Sequence, residues 1–134
     1  MAITIHYWTN DVEKIMRYYL EKLAFDMEYQ QPAEGTANFC ILRMGDSKIM
    51  FAGLPTSEIP LNRNDHLVLE NIRKRIGCPG PISVYIGVDD IDAYFKKATN
   101  HRAEIVEPIW NTPWSLRQFS VLDPDGNITT FFSE

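Results

Sequence analysis

The chain has 134 residues, 18 Asp plus Glu against 13 Lys plus Arg, 45% hydrophobic residues and two cysteines, the makeup of one globular domain with a core of its own. A formal net charge of -5 argues against nucleic acid as a partner, because affinity for phosphate backbones comes from Lys and Arg, and it favours neutral or cationic ligands. Cys40 and Cys78 lie far apart with no Cys or His spacing around them, which argues against a zinc finger or a disulfide framework and fits a reduced, cytoplasmic setting. The first residues carry no basic segment ahead of an apolar run, and no stretch approaches the roughly 18 apolar residues of a membrane span, so no membrane association is expected.

The segment from Ala2 to Trp8 reads as a β-branched and aromatic strand, and Asn10 with Glu13 three residues on has the pairing that opens a helix. Val12, Ile15, Met16, Tyr19, Leu20 and Leu23 then recur at helical spacing as one apolar stripe. Phe25 to Gln31, Asn38 to Met44 and Lys48 to Ala52 read as strands around the Pro32 to Thr36 loop and the Gly45-Asp46 turn. Gly53 to Pro81 contains four prolines and reads as a linker, with Leu69, Ile72 and Ile76 allowing a short helix inside it. From Ile82 the order returns: a strand to Val88, Asp89 with Asp92 three later, then Ile91, Tyr94, Phe95 and Ala98 at helical spacing. Strands at Glu104 to Pro108, Leu116 to Leu122 and Ile128 to Ser133 complete the series, with a loop from Trp110 to Trp114.

Sliding the chain by 79 residues lays Thr4 on Ser83, Ile5 on Val84, Asp11 on Asp90 and Val12 on Ile91. The sequence therefore reads as a single domain over 1-134, made of a first βαβββ module at about 1-52, a linker at about 53-81 and a second module at about 82-134. Each module buries one sheet face on its own helix and leaves the other to be covered.

Asp123-Pro124-Asp125-Gly126-Asn127 has the residues of a tight turn between two strands. Preceded by Pro113-Trp114-Ser115-Leu116-Arg117-Gln118-Phe119 and followed by Phe131-Phe132, it resembles the closing signature of the vicinal oxygen chelate superfamily, which contains glyoxalases, bleomycin-resistance proteins and extradiol dioxygenases. The run looks closest to the bleomycin-resistance branch, with Ser115 standing where that branch commonly has Gly. The resemblance implies an α+β glyoxalase/bleomycin-resistance-like fold whose curved mixed sheets enclose a cleft.

Enzymes of the superfamily hold a divalent metal with His and Glu side chains on four strands. The positions that align with those ligands are Thr4, Met50 or Phe51, Ser83 and Thr130, none of which is imidazole or carboxylate. No metal, no other cofactor and no catalytic residue is expected on that basis. His6 shares strand parity with Thr4 but would be a ligand without partners; His66 falls in the linker and His101 at a helix end. No phosphate loop, nucleophile elbow or Cys-His pair is present, and Cys40 reads as a small buried hydrophobe.

If Thr4 and Thr130 face the cleft, period-two alternation adds His6, Trp8, Ser83, Tyr85 and Phe132 to that side and sends Ile5, Tyr7, Val84, Ile86, Thr129 and Phe131 to the helices. Trp110 and Trp114 bracket the loop that leads into the signature strand and offer surfaces for stacking on a flat ligand, with core packing as the alternative. Phe51 is included in the cleft, again with core packing as the alternative for it and for Phe39; Arg117 reads as a strand-end charge rather than an anion contact. The expected protein is thus a homodimeric, metal-free binder of a small molecule, cationic by the charge balance, that sequesters a drug or metabolite as bleomycin-resistance proteins do. The alternatives are a metal-dependent lyase or dioxygenase with displaced ligands, and a non-catalytic interaction subunit.

Overall fold

In a computed structural model, residues 3–54 and 65–134 are described. The first module contains β1 (Ile5–Trp8), α1 (Val12–Lys22), β2 (Asp26–Gln31), β3 (Phe39–Met44) and β4 (Ser47–Ala52). A helix, α2 (Asp65–Arg75), leads to the second module of β5 (Val84–Gly87), α3 (Ile91–Asn100), β6 (Glu104–Asn111), β7 (Arg117–Leu122) and β8 (Ile128–Ser133).

Both module helices begin on an aspartate. The Asp11 side chain accepts from the Lys14 amide at 3.0 Å and Asp90 from the Ala93 amide at 3.1 Å, each satisfying one of the donors a helix start leaves free. The caps therefore sit one residue beyond the expected Asn10 and Asp89. Glu13 does not close a capping box; its Oε1 accepts from the Ala37 amide at 2.8 Å and ties α1 to the loop before β3.

The two sheets repeat one topology, β1-β4-β3-β2 and β5-β8-β7-β6, and in each the first strand runs parallel to the last while the rest are antiparallel. Among the described residues no ladder joins β1 to β5, so the sheets are separate and do not close on one another within the chain. The register explains which face each lays on its helix. Ile49 and Phe51 on β4, Cys40 and Leu42 on β3, and Phe119, Val121 and Phe131 on β7 and β8 are all buried in one cluster with Ile15, Met16, Tyr19 and Leu23 of the first helix and its exit.

That cluster is continuous across the modules, and three tyrosines reinforce the joint. The Tyr18 hydroxyl donates to the Leu122 carbonyl at 2.8 Å and accepts from the Glu104 amide at 3.0 Å. Tyr19 donates to Asp123 Oδ2 at 2.8 Å, and Tyr94 donates back to the Leu23 carbonyl at 2.6 Å. Asp123 also receives the Asp125 amide and both the backbone and side-chain N–H of Asn127, which shapes the Asp-Pro-Asp-Gly-Asn turn around one carboxylate. Burial holds that carboxyl above its ordinary value even with these donors.

One expectation changes here. β6 continues past Pro108 through Trp110, where a loop was expected. It is the edge strand of its sheet, so a missing proline N–H removes no bond from the β7 ladder, and the register shifts on either side of Glu107 absorb the misfit. The helix allowed inside the linker is α2, on which Ile72 is buried while Leu67 and Val68 remain exposed. Residues 55–64 of the expected linker and the expected strand start at Ala2 lie outside the described residues.

Candidate functional site

The faces turned away from the helices carry most of the residues the sequence singled out. On the first sheet, pairing of His6 with Met50 and of Trp8 with Ala52 puts His6, Trp8 and Met50 on one open face. His6 and Trp8 lie against each other with ring centroids 4.4 Å apart, and partial burial lowers the His6 pKa below its ordinary 6.5. Toward the other edge of that face Glu28 bonds Arg43 and, at 3.0 Å, Lys48. Those partners hold its carboxyl below the usual value.

A cavity of about 360 Å³ opens beside β1. Thr4, His6 and Trp8 line it with Arg75 at the end of α2 and Cys78 and Ile82 from the segment that follows, and Asp125 and Asn127 of the last turn complete it. Asp125 Oδ2 is buried there with no partner among the described residues. Trp8 also borders a second recess, against Leu67, Val68 and Ile72 of α2. Ser83 is not part of this cavity. It shares with Thr4, Lys48 and Tyr85 a groove that runs between the unpaired edges of β1 and β5.

The open face of the second sheet is organised in rows. Tyr85 pairs with Thr130, Thr130 with Ser120 and Ser120 with Glu107, while the next row runs Gly87, Phe132, Gln118, Trp110. A Cβ on Gly87 would meet the Phe132 ring at 3.5 Å, an ordinary van der Waals contact, so the ring lies over that strand without depending on the glycine. Phe132 and Tyr85 are neighbours at 6.1 Å, and Trp110 and Trp114 meet edge to face at 5.9 Å. Trp114 is 57% and Tyr85 50% exposed, an aromatic surface of the kind that stacks on flat ligands. The middle of the face is closed: Thr130 and Gln118 are each 3% exposed and Ser120 5%, and the Thr130 hydroxyl lies 2.7 Å from that of Ser120.

Phe51 does not belong to the cleft. It is fully buried on the helix side, stacked with Tyr7 at 5.5 Å and against Tyr19 at 5.0 Å. The register makes Met50 the residue that shares a face with His6, which settles the parity that the sequence left open. Cys40 is buried beside it, and burial pushes its thiol up to about 11, far from a nucleophile's range. Arg117 turns to the helix side, where its Nε and Nη2 meet Asp92 at 2.8–3.2 Å, pinning β7 to the start of α3. Glu107 accepts from Gln118 Nε2 at 2.9 Å and from Ser120 Oγ at 3.2 Å. Alternation along Glu107, Ser120 and Thr130 contained that signal, but the bulged register of β6 hid it.

The family's metal does not fit these residues. Thr4, Met50, Ser83 and Thr130 offer hydroxyls and a thioether, the Thr130 hydroxyl is already engaged, and no group of three or more His, Cys, Asp or Glu side chains converges among the described residues.

Two βαβββ modules with parallel first and last strands define a paired-module α+β protein. The model of the glyoxalase/bleomycin resistance protein/dioxygenase superfamily matches residues 3–131, and the chain belongs to that superfamily. TioX from Micromonospora sp. ML1 is similar in structure with a TM-score of 0.72 over 100% of this chain and 96% of that protein, at 24% identity. A lactoylglutathione lyase from Agrobacterium tumefaciens gives a TM-score of 0.67 over 99% and 92% of the respective chains, at 13% identity. A glyoxalase/bleomycin resistance protein from Catenulispora Acidiphila DSM 44928 gives 0.67 over 100% and 98%, at 15% identity. At these identities the likeness is one of fold. No curated protein matches the chain. No helix of the described residues is long and apolar enough to cross a membrane.

Proposed function

We propose that the protein is a small-molecule binder of the bleomycin-resistance type, which sequesters a drug or metabolite without transforming it. The observation that carries this reading is the exchange of the family's metal-ligand positions for Thr4, Met50, Ser83 and Thr130 in a chain that keeps two open, aromatic-bearing sheet faces. A pocket with aromatic walls and few polar groups gains affinity by stacking and by removing apolar surface from water, and needs no reacting centre. The acidic balance of the chain favours a cationic ligand by long-range attraction. Because each module leaves one face uncovered, we also propose a homodimer in which a face of one copy completes the cleft with a face of the other. The two unpaired cysteines suit work in the cytoplasm.

Three measurements test the reading. Titration with bleomycin-like glycopeptides is expected to quench the fluorescence of Trp8, Trp110 or Trp114 saturably, and light scattering is expected to give twice the chain mass. A stoichiometric zinc, nickel, iron or manganese ion retained by the dialysed protein would overturn the binder and favour a glyoxalase-like lyase or a dioxygenase.

A further inference from the structure

The cavity beside β1 is walled chiefly by apolar groups, Ile5, Tyr7, Trp8, Ile82 and Val84 among them, and its volume of about 360 Å³ leaves room for a small aromatic ring system. Among the described residues its wall includes one cation, Arg75. That residue ends α2, is exposed, and lines both this cavity and the neighbouring recess against Leu67 and Val68. Trp8 is shared between the two in the same way. Arg75 and Trp8 therefore lie together where the two hollows meet.

The guanidinium of Arg75 is only partly spent. Its Nη1 donates to the Asn71 carbonyl at 2.8 Å, one turn back along the helix, and no described carboxylate pairs with it. The edge formed by Nε–H and Nη2–H, two parallel donors in one plane, has no described acceptor. Asp125 shares the wall but forms no described ion pair with Arg75, and its Oδ2 is closed off from solvent. His6, whose pKa burial holds below the ordinary value, adds no second cation to the wall at neutral pH. One accessible guanidinium beside apolar walls matches one negative charge on a flat apolar body.

We infer that this cavity takes the acid end of a small molecule, a flat monoanionic carboxylate whose oxygens meet the Nε and Nη2 donors of Arg75 while its ring system lies along Trp8. The inference rests on the small-molecule reading above and specifies which group of a ligand enters beside the first module. The net charge of the chain acts at long range on the ligand as a whole, whereas the side chain at the wall selects the group that docks. A carboxylate suits the site better than a dianion such as a phosphate monoester. One guanidinium balances one charge, and the Asp125 carboxylate on the same wall repels any excess.

The probe is 2-naphthoate, titrated calorimetrically into the whole protein while the indole N–H signals of Trp8, Trp110 and Trp114 are followed by NMR. We expect saturable binding that moves the Trp8 signal and leaves the other two in place. Affinity is expected to fall at least roughly tenfold when the neutral 2-naphthamide replaces the acid or when Arg75→Gln removes the guanidinium. Arg75→Lys, which keeps the charge without the fork, is expected to fall between wild type and Arg75→Gln. Arg73→Gln, in the same turn of α2 but not on the cavity wall, is expected to bind as the wild type does. Asp125→Asn is expected to bind more tightly, having lost a like charge. No binding at millimolar concentration, equal affinity for the acid and its amide, an equal loss in Arg73→Gln, a shift at Trp110 or Trp114 in place of Trp8, or tighter binding of 2-naphthylmethylammonium than of the acid would overturn the site. Glycopeptide quenching that persists alongside such a result would leave the binder standing, whereas a retained stoichiometric metal would remove the binder itself.

Discussion

Ser115 holds a left-handed backbone conformation, φ 70°, in the tight turn where its amide bonds the Thr112 carbonyl at 3.3 Å and Thr112 Oγ1 takes the Leu116 amide at 3.0 Å. A side chain with a Cβ is disfavoured there and glycine is not, which accounts for the glycine common at this place in the bleomycin-resistance branch. Ser115→Gly is accordingly expected to raise stability by about 0.5–1 kcal/mol, read from denaturant unfolding. At His6 the sign is opposite to that of a charge-paired histidine. Burial lowers its folded-state pKa below 6.5, so around that pH the unfolded chain binds more protons than the folded one. Its contribution to stability is full above pH 6.5 and declines as pH falls through that value toward the folded pKa. The unfolding midpoint should therefore drop between pH 7 and pH 5 by an amount that His6→Gln removes, and an NMR titration of His6 should show a midpoint below 6.5. Of the individual site residues, His6, Trp8, Tyr85 and Phe132 could be placed by strand alternation alone. Phe51 could not, because adjacent positions Met50 and Phe51 are both apolar and only the ladder with β1 fixes which one turns inward.

The helices of the two modules rest on equivalent caps, and each should respond alike. Asp11→Ala and Asp90→Ala are each expected to cost about 1 kcal/mol, as the loss of an N-cap hydrogen bond does elsewhere, measured by thermal or chemical unfolding. Asn10→Ala and Asp89→Ala should cost less, since neither supplies the cap. This one-residue offset marks where the sequence stops informing: both Asn10 and Asp11 are good capping residues, as are Asp89 and Asp90, and the choice is made by the geometry with which the preceding strand delivers the chain. The stripe of α1 and the alternation of β3 were legible because one face of each is mostly buried and the other is not, while in β7 and β8 both faces are largely buried and the helix side was legible from its apolar residues Phe119, Val121 and Phe131. β6 was not, because Pro108 ordinarily stops a strand and an edge position forgives it. The outline of α2 was legible only as a possibility: Ile72 is its buried anchor, and a helix held by so little apolar surface draws its order from tertiary neighbours. Amide protons of α2 should exchange with solvent faster than those of α1 and α3.

At the scale of the whole chain, the repeat at 79 residues was enough to give two βαβββ modules, because that pattern recurs in hydrophobicity even where identity does not. Their joining was not legible. Tyr18, Tyr19 and Tyr94 lie within apolar helix stripes, and nothing in a stripe tells a tyrosine that only packs from one whose hydroxyl reaches across to a backbone carbonyl or a turn carboxylate. Tyr19 lies within the common core and donates to Asp123 on the other module, so Tyr19→Phe is expected to cost about 1–2 kcal/mol. The loss should appear equally in tryptophan fluorescence and in circular dichroism, as one cooperative transition. Two separated transitions would show that the modules unfold independently.

The tyrosine joint has a consequence for how such a protein changes over generations. Two of its three hydroxyls donate to main-chain carbonyls and the third to the carboxylate that shapes a turn, so the union of the halves asks almost nothing of the residues on the open faces. Those faces can accumulate substitutions while the joint between the halves stays as it is. A fold held together in this way can be kept while the residues on its faces change, and likeness in fold at 24%, 15% and 13% identity is consistent with that.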